Sequence, residues 1–583
     1  MTNKPLLQNR VKGAFLGAAF GDALGWPNER SHNRSSQKHE VSPTLISWNK
    51  KSGGRFSPFE EKIQAGSYSD DTQLILAISR SLLHGDNWLE YWQTLELPFW
   101  LLYERGGGGA TKRAAHSWLK GKAPWNQSAK ERSKYFNAGG NGVAMRVLPH
   151  VIQLNGEESF TPIAERVFMD AITTHGHPRA IIGALAYSYA LWQMSHREGT
   201  LEYGRIITEM IESYEKWSSF LIFSNSNQKW IDAANQTIPQ FSNLWDNTQK
   251  EMVSYLQVAN SELSKAALAS DDHAFHQLDV FNRTSNGAGT VAAAASIYLA
   301  SRYASDPIQG VLKAAFAFGA DTDTIASMTG GLAGLISGSE WLSPYQMMIQ
   351  DSDYISSLSG HLLERSINSE NKRVPPKVTT KVFEDCKKRL ADITSSKDNA
   401  ESIIVLCDGR KGTCSKLPDY IAKSGKYRIV FRKIVCDDGQ TLYFTNMLRT
   451  SNKTAQDTAG NPMVICSASG LKIIVNDLNQ STELYEQCLG LKLKSKGERI
   501  ISFEQGLAII PRKYSNFPND VYRSIVYVEV SDIELVWREV TKRNLKTNSP
   551  IKAFGNKGSR KTFAFYDYDG NLVEVFSQDQ DRT

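Results

Sequence analysis

Residues 318–336 read FGADTDTIASMTGGLAGLI. Asp321 and Asp323 alternate there with the hydroxyls of Thr322 and Thr324, and an apolar run follows at once. Apolar residues recur at i, i+3 and i+4 through Ile325–Ile336, which predicts a helix carrying the acids at its N-terminus. The Gly and Ala content of the run lets such a helix pack closely against a neighbour. About 250 residues earlier, GSYSDDTQLILAISRSL at 66–82 has the same build, with Ser69, Asp70, Asp71 and Thr72 ahead of a helical run. One Asp or Thr at a helix start is an ordinary cap. Paired carboxylates with hydroxyls at both places are more than a cap needs. Brought together, four carboxylates repel unless a cation lies between them. An all-oxygen donor set of this kind suits Mg²⁺ or Mn²⁺ rather than zinc. On spacing alone two readings stay open: a metal site, or helix caps and surface acids.

Outward from these two stretches, helical periodicity continues in Leu74–Leu83, Ile181–Trp192 and Val291–Tyr303, separated by Gly- and Asn-rich loops at 106–109, 138–142 and 285–289. No convincing period-2 pattern occurs in residues 1–365, so one large all-α domain is expected there. Residues 366–400 read as a charged helical linker broken at Pro375–Pro376. From 401 the pattern turns to strands: IIVLC at 403–407, YRIVFRKIV at 427–435 and TLYFTNM at 441–447, the last two joined by a hairpin turn at Asp437-Asp438-Gly439-Gln440. Basic residues alternate with aromatics at Tyr427, Arg428, Phe431, Arg432 and Lys433. This pattern fits a solvated strand face and also a nucleic-acid contact. Residues 463–577 spell β-α-β-β-(β) twice. The first copy holds LKIIVND, a helix at Leu478–Leu489 and ISFEQGLAIIP; the second holds SIVYVEV, a helix at Ile533–Arg543 and TFAFYDYDGNLVEVF.

Composition divides at nearly the same place. The 583 residues carry a net charge of +6, but residues 1–365 sum to −3 and residues 366–583 to +9. All 11 His lie at or before His361, and all six Cys lie after it. Two unlike modules are therefore expected. The His-free half has no local Cys/His zinc site, and its cysteines are not spaced at CxxC, so reduced thiols in a cytoplasmic protein are expected. No apolar run approaches a membrane span, and the N-terminus lacks signal-peptide features. The basic half is suited to recruiting an acidic partner or nucleic acid.

The acidic stretches sit among further motifs: GAFLGAAFGDALGWPNE (13–29), RGGGGATKRAA (105–115), GGNGVAMRVLPH (139–150), THGHPRAIIGALAY (174–187) and SNGAGTVAAAASIY (285–298). In this order, over residues 8–345, the set resembles the ADP-ribosylglycohydrolase family. The resemblance implies a compact all-α bundle with a binuclear Mg²⁺ centre, Mn²⁺ being the alternative ion. It assigns Ser69, Asp70 and Asp71 to the metals from one side and Asp321, Asp323 and Thr324 from the other. It makes Glu29 the candidate catalytic acid/base beside Asp70 and Asp323, against a plain loop carboxylate. It gives Gly108, Gly109, Asn141, Gly142, Met145 and His175 to the substrate, with a structural histidine as the equal alternative at 175. Asp22 reads as structural, its carboxylate bonding backbone amides. The implied activity is hydrolysis of the glycosidic bond of ADP-ribosylated proteins or other ADP-ribosyl conjugates. The alternative is an ADP-ribose-binding or immunity protein without turnover.

Residues 466–578 resemble the vicinal-oxygen-chelate superfamily of glyoxalase and bleomycin-resistance proteins, on IIVNDLNQSTELYEQCLGLKL (473–493) and AFYDYDGNLVEVF (564–576). At the metal-ligand positions that the resemblance implies stand Gly470 and Ile525, and only Glu574 is a carboxylate. One carboxylate does not make a catalytic metal site. The expected plan is thus multidomain: an all-α glycohydrolase-like domain at 1–365, a linker and small β-rich segment at 366–462, and an α+β glyoxalase-like domain at 463–583 that is a binding or scaffold module.

Overall fold

The structure, a computed structural model, describes residues 4–29, 41–53, 59–199, 201–224, 227–364, 377–393, 402–421, 427–449, 464–465, 471–498, 500–504, 507–511, 525–530, 532–548, 550–554, 560–568 and 571–578. The chain forms two compact units. The first comprises Met1–Lys51, Glu60–Pro418 and Val430–Asn446, and the second comprises Ser52–Phe59, Asp419–Ile429 and Met447–Thr583.

The first unit is built on two long helices, Lys4–Gly25 and Thr322–Ser337. Gly17, Gly21 and Gly25 of the first meet the backbone of Gly330, Ala326 and Thr322 of the second, and Gly13 meets Gly338 just past its end. The numbering rises on one helix as it falls on the other, so the pair is antiparallel. A Cβ on any of the four glycines would fall inside the van der Waals shell of the facing carbonyl. Glycine is needed here for close approach, which is why its cost to helix propensity is tolerated. Every residue from Thr322 to Ile336 is buried. Such a helix is apolar all round because it is covered all round. Helices Gly289–Arg302 and Pro178–His196 surround it, and they repeat the device where Gly183 meets the Gly289 backbone. The buried Arg10 guanidinium donates to the carbonyls of Leu335 and Met194, near two helix C-termini.

The 24-residue helix Phe241–Ser264 shows little periodicity in sequence, because its buried Phe241, Trp245, Met252, Leu256 and Leu263 are diluted by polar residues. Residues 1–365 also contain strands, against expectation. Trp48–Ser52 and Phe59–Ile63 pair as a two-stranded sheet. The second alternates buried and exposed positions along FEEKI. Outward Glu60 and Lys62, with an acid at buried Glu61, give so short a run little β-character.

After helix Thr380–Asp392 comes a four-stranded sheet in sequential order: Ser402–Val405, Lys411–Ile421, Tyr427–Cys436 and Thr441–Arg449. The expected turn is present. Cys436 N donates to Gln440 O at 2.8 Å, and Gly439 takes φ +96°, where glycine avoids a Cβ clash. Within the first unit this sheet is stitched to the helices. Arg80 pairs bidentately with Glu96 at 2.9 and 2.7 Å and also donates to Gln440 Oε1 at 2.9 Å. Arg410 shares that Gln440 oxygen at 2.7 Å, and Asp351 accepts from Thr441 N at 2.9 Å and from Tyr68 Oη at 2.7 Å.

In the second unit the expected repeat is present. The first copy orders its strands 471–475, 507–511, 501–503, 493–496; the second orders them 525–530, 572–578, 560–566, 552–554. In both, the first and last strands are parallel neighbours, with Ile473 opposite Ile509 and Tyr527 opposite Glu574. One core draws from both copies, including Leu484, Tyr485, Phe503, Val528, Phe563 and Val575. Gly470 lies outside the described residues, Ile525 opens a strand, and Glu574 is a half-buried strand residue. The five described cysteines are free thiols. No described helix is long and apolar enough to cross a membrane.

Candidate active site

The two acidic stretches begin helices, Asp70–Leu82 and Thr322–Ser337. Ser69 caps the first, its Oγ accepting from Asp71 N at 3.4 Å. Asp321 occupies the cap position of the second but makes no capping bond. Its carboxylate instead accepts from Asn141 Nδ2 at 2.9 Å. The helix starts converge where Thr324 Oγ1 donates to Asp71 Oδ2 across 3.3 Å, 253 residues apart in sequence. Asp71 Oδ1 is buried and accepts no hydrogen bond.

Asp22 holds this junction together. Fully buried, it accepts from Ser69 N at 2.9 Å, Thr72 N at 3.0 Å and Thr72 Oγ1 at 2.7 Å. The amides it bonds belong to the Asp70 helix, not to its own turn. Those bonds restrain a carboxyl that burial pushes above the usual range. Asp70, Asp71 and Asp323 are pushed well above that range as well, first by burial and then by the charge of neighbouring carboxylates. Asp70 feels Glu104, Asp22 and Glu29; Asp71 feels Asp22, Asp70 and Asp321; Asp323 feels Glu29, Asp321 and Asp71. Glu29 therefore stands electrostatically over both helix starts. Sequence reasoning missed Glu104, whose only signal was its place before the glycine run at 105–109.

The glycine loops lie beside these carboxylates. Gly106 takes φ +104°, and a Cβ there would stand 3.0 Å from Asp70 Oδ1. Gly108 faces open space and precedes helix Gly109–Leu119. Asn141 N donates to Gly287 O at 3.0 Å, which joins the 138–142 loop to the 285–289 loop. His175 is buried under Gly142 and bonded to Thr174 Oγ1 at 2.8 Å, and burial lowers it to about 3. Met145 is buried too. Arg146, which bonds Gly142 O, is fully buried against Asp170 at 2.9 Å. A cavity of about 360 Å³ runs along the Gly109–Leu119 helix, lined by Arg113, His116, Lys120, Tyr135 and Thr174.

Among the described residues, no three His, Cys, Asp or Glu side chains are grouped as the ligands of a bound ion would be. The donor chemistry does suit a hard cation: oxygen atoms only, an orphaned Asp71 oxygen, and carboxylates that each push a neighbour's proton affinity up.

A family model described as ADP-ribosylglycohydrolase matches residues 3–372. One described as Glyoxalase/Bleomycin resistance protein/Dioxygenase superfamily matches residues 468–575. The ADP-ribosyl-dinitrogen reductase glycohydrolase of Rhodospirillum rubrum is 29% identical over 175 residues, which are 30% of this chain and 54% of that protein. A protein of Acanthamoeba polyphaga mimivirus assigned as an ADP-ribosyl glycohydrolase is 23% identical over 223 residues, 36% of this chain and 63% of that one. The chain thus spans less than two thirds of the length of either relative. A solved structure titled ADP-ribosylglycohydrolase-related protein complex is 17% identical, with TM-score 0.40, over 62% of this chain and 99% of that one.

Proposed function

Because the chain belongs to the ADP-ribosylglycohydrolase family, we propose that it hydrolyses the bond between the distal ribose of ADP-ribose and an acceptor, a protein side chain or another conjugate. The observation that carries this reading is the meeting of two carboxylate-bearing helix starts at the Thr324–Asp71 bond, with Asp71 Oδ1 unsatisfied. A metal requirement is general to the family, and here Ser69, Asp70, Asp71, Asp321, Asp323 and Thr324 are the residues to hold it. Mg²⁺ or Mn²⁺ bound there would hold the ribose hydroxyls and offset charge as the C1″ bond breaks.

The protein's own groups supply the rest. Asn141 fixes the Asp321 carboxylate. Gly108, Gly109 and Gly142 offer backbone close to a diphosphate, and the Arg113 and Lys120 cations of the cavity lining suit the nucleotide end. Glu29 is assigned the proton transfers: it takes a proton from the attacking water as that oxygen bonds C1″ and the bond from C1″ to the acceptor breaks, and it passes that proton on to the departing acceptor. The ribose then carries oxocarbenium character in the transition state. Free ADP-ribose and the unmodified acceptor are the products. The glyoxalase-like module is read as a recognition or scaffold element without metal chemistry, and the basic half at 366–583 as the place for an acidic partner or nucleic acid.

The test is hydrolysis of arginine-, serine- and nucleic-acid-linked ADP-ribose by the full chain, with Mg²⁺, with Mn²⁺ and with EDTA. Release of ADP-ribose that EDTA abolishes is the expected result. Tight ADP-ribose binding with no release from any of the three would replace hydrolysis by the binding-protein reading.

A further inference from the structure

We propose that the 402–449 sheet, which lies beyond the span matched to the glycohydrolase family, supplies a positioning residue to the candidate active site: Tyr443, which clamps Arg105 and thereby sets the glycine loop against Asp70. The inference rests on the reading of that site given above.

Strand alternation puts Leu442 and Phe444 on the buried face and Tyr443 on the other. The Tyr443 ring lies 4.1 Å from the Arg105 guanidinium carbon. Glu61 takes the same guanidinium at 2.7 and 2.9 Å, and the Trp26 ring stands 5.7 Å away. Arg105 is only 4% exposed. A buried cation needs each of its partners, and an aromatic face is worth more once water is excluded.

The backbone of Arg105 is tied in turn to the Asp70 helix. Arg105 N donates to Gln73 Oε1 at 3.2 Å, and Gln73 Nε2 donates to Tyr103 O at 3.0 Å. Gly106 follows at once, with its Cβ position 3.0 Å from Asp70 Oδ1, 3.5 Å from Trp26 Nε1 and 3.6 Å from Ser69 Cβ. Arg105 and Gly106 are consecutive, so a shift of Arg105 is a shift of the loop that faces Asp70. Trp26 Nε1 is buried there without a hydrogen-bond partner.

The experiment compares Tyr443→Ala, Tyr443→Phe and Arg105→Lys in the full chain by hydrogen–deuterium exchange and by steady-state kinetics on an ADP-ribosylated peptide. Tyr443→Ala is expected to raise exchange selectively at residues 104–109 and to raise KM about tenfold to a hundredfold, with a smaller change in kcat. Tyr443→Phe keeps the ring and recovers most of both readouts. Arg105→Lys keeps the charge but loses the planar stack, and gives the same selective loosening. Unchanged exchange at 104–109 in Tyr443→Ala overturns the proposal, as does a rise spread evenly over the helical unit in both Tyr443→Ala and Arg105→Lys. If the wild-type chain cleaves no ADP-ribosyl substrate, the hydrolase reading fails while the exchange result still decides the clamp.

Discussion

Two buried carboxylates, one in each compact unit, make opposite use of burial. Asp567 in the C-terminal repeat accepts from Tyr485 Oη at 2.9 Å, from Asn571 N at 2.7 Å and from Asn571 Nδ2 at 2.9 Å. Asp71 in the helical unit has one oxygen on two weak hydroxyl contacts of 3.3 and 3.4 Å and the other on nothing. The first is a satisfied structural acid, the ordinary state of a buried polar group. The second keeps its desolvation cost and stands among further carboxylates that add to it. Burial marks neither residue as functional; the difference lies in what is left unsatisfied.

That contrast can be broken most sharply at Asp321. Asp321→Ala is expected to lower kcat/KM by about a thousandfold, ~4 kcal/mol of transition-state stabilisation, and to weaken Mg²⁺ or Mn²⁺ binding measured by calorimetry. Normal turnover and metal affinity in this variant would place the centre elsewhere. Next in size, Gly17→Val forces the helix pair apart at Gly330 and should cost about 3 kcal/mol or more, read as a lower midpoint in thermal or urea unfolding. An unchanged midpoint would mean that the helices do not need their backbone contact.

The third effect is a pH dependence. Asp70, Asp71 and Asp323 bind protons more tightly folded than unfolded, so without metal their contribution to stability is fully present below the unfolded carboxylate range, about 4. It is lost as pH rises through their raised values. A divalent ion competes with those protons. The melting-temperature gain from Mg²⁺ or Mn²⁺ over EDTA should therefore grow from pH 5 to pH 8 and shrink in Asp321→Asn. A gain that is flat with pH contradicts the assignment. Smallest is Glu574→Gln in the second unit, expected to change turnover less than about twofold and stability by no more than ~0.5 kcal/mol. A large loss of activity there would give the glyoxalase-like module a chemical role.

The elements whose signals are local were legible in the sequence. Residues 69–72 and 321–324 announce helix starts within a few positions, the 437–440 turn announces its hairpin, and the doubled β-α-β-β-(β) pattern announces two similar half-sheets. What escaped depends on partners distant in the chain. Asp22 reads as a turn residue until Ser69 and Thr72, about 50 residues on, supply the amides it holds. Asn141 reads as a ligand contact, yet its amide holds Asp321 across 180 residues. Tyr443 is one aromatic in a strand until Arg105 is seen beneath it. The Phe59–Ile63 strand was hidden because three of its five residues are charged.

As a mechanical element, the antiparallel pair of Lys4–Gly25 and Thr322–Ser337 behaves like a rack with widely spaced teeth. Its glycines recur every four residues, so the next seating of one helix on the other lies about 6 Å away at 1.5 Å per residue. Smaller slips drive Cα carbons into carbonyls. The Trp26–Glu29 segment is attached to one end of this rack and Asp321–Thr324 to the facing end of the other. The separation between Glu29 and the second acidic cluster is therefore indexed rather than elastic, and strain elsewhere in the helical unit can unseat the pair but cannot detune it gradually.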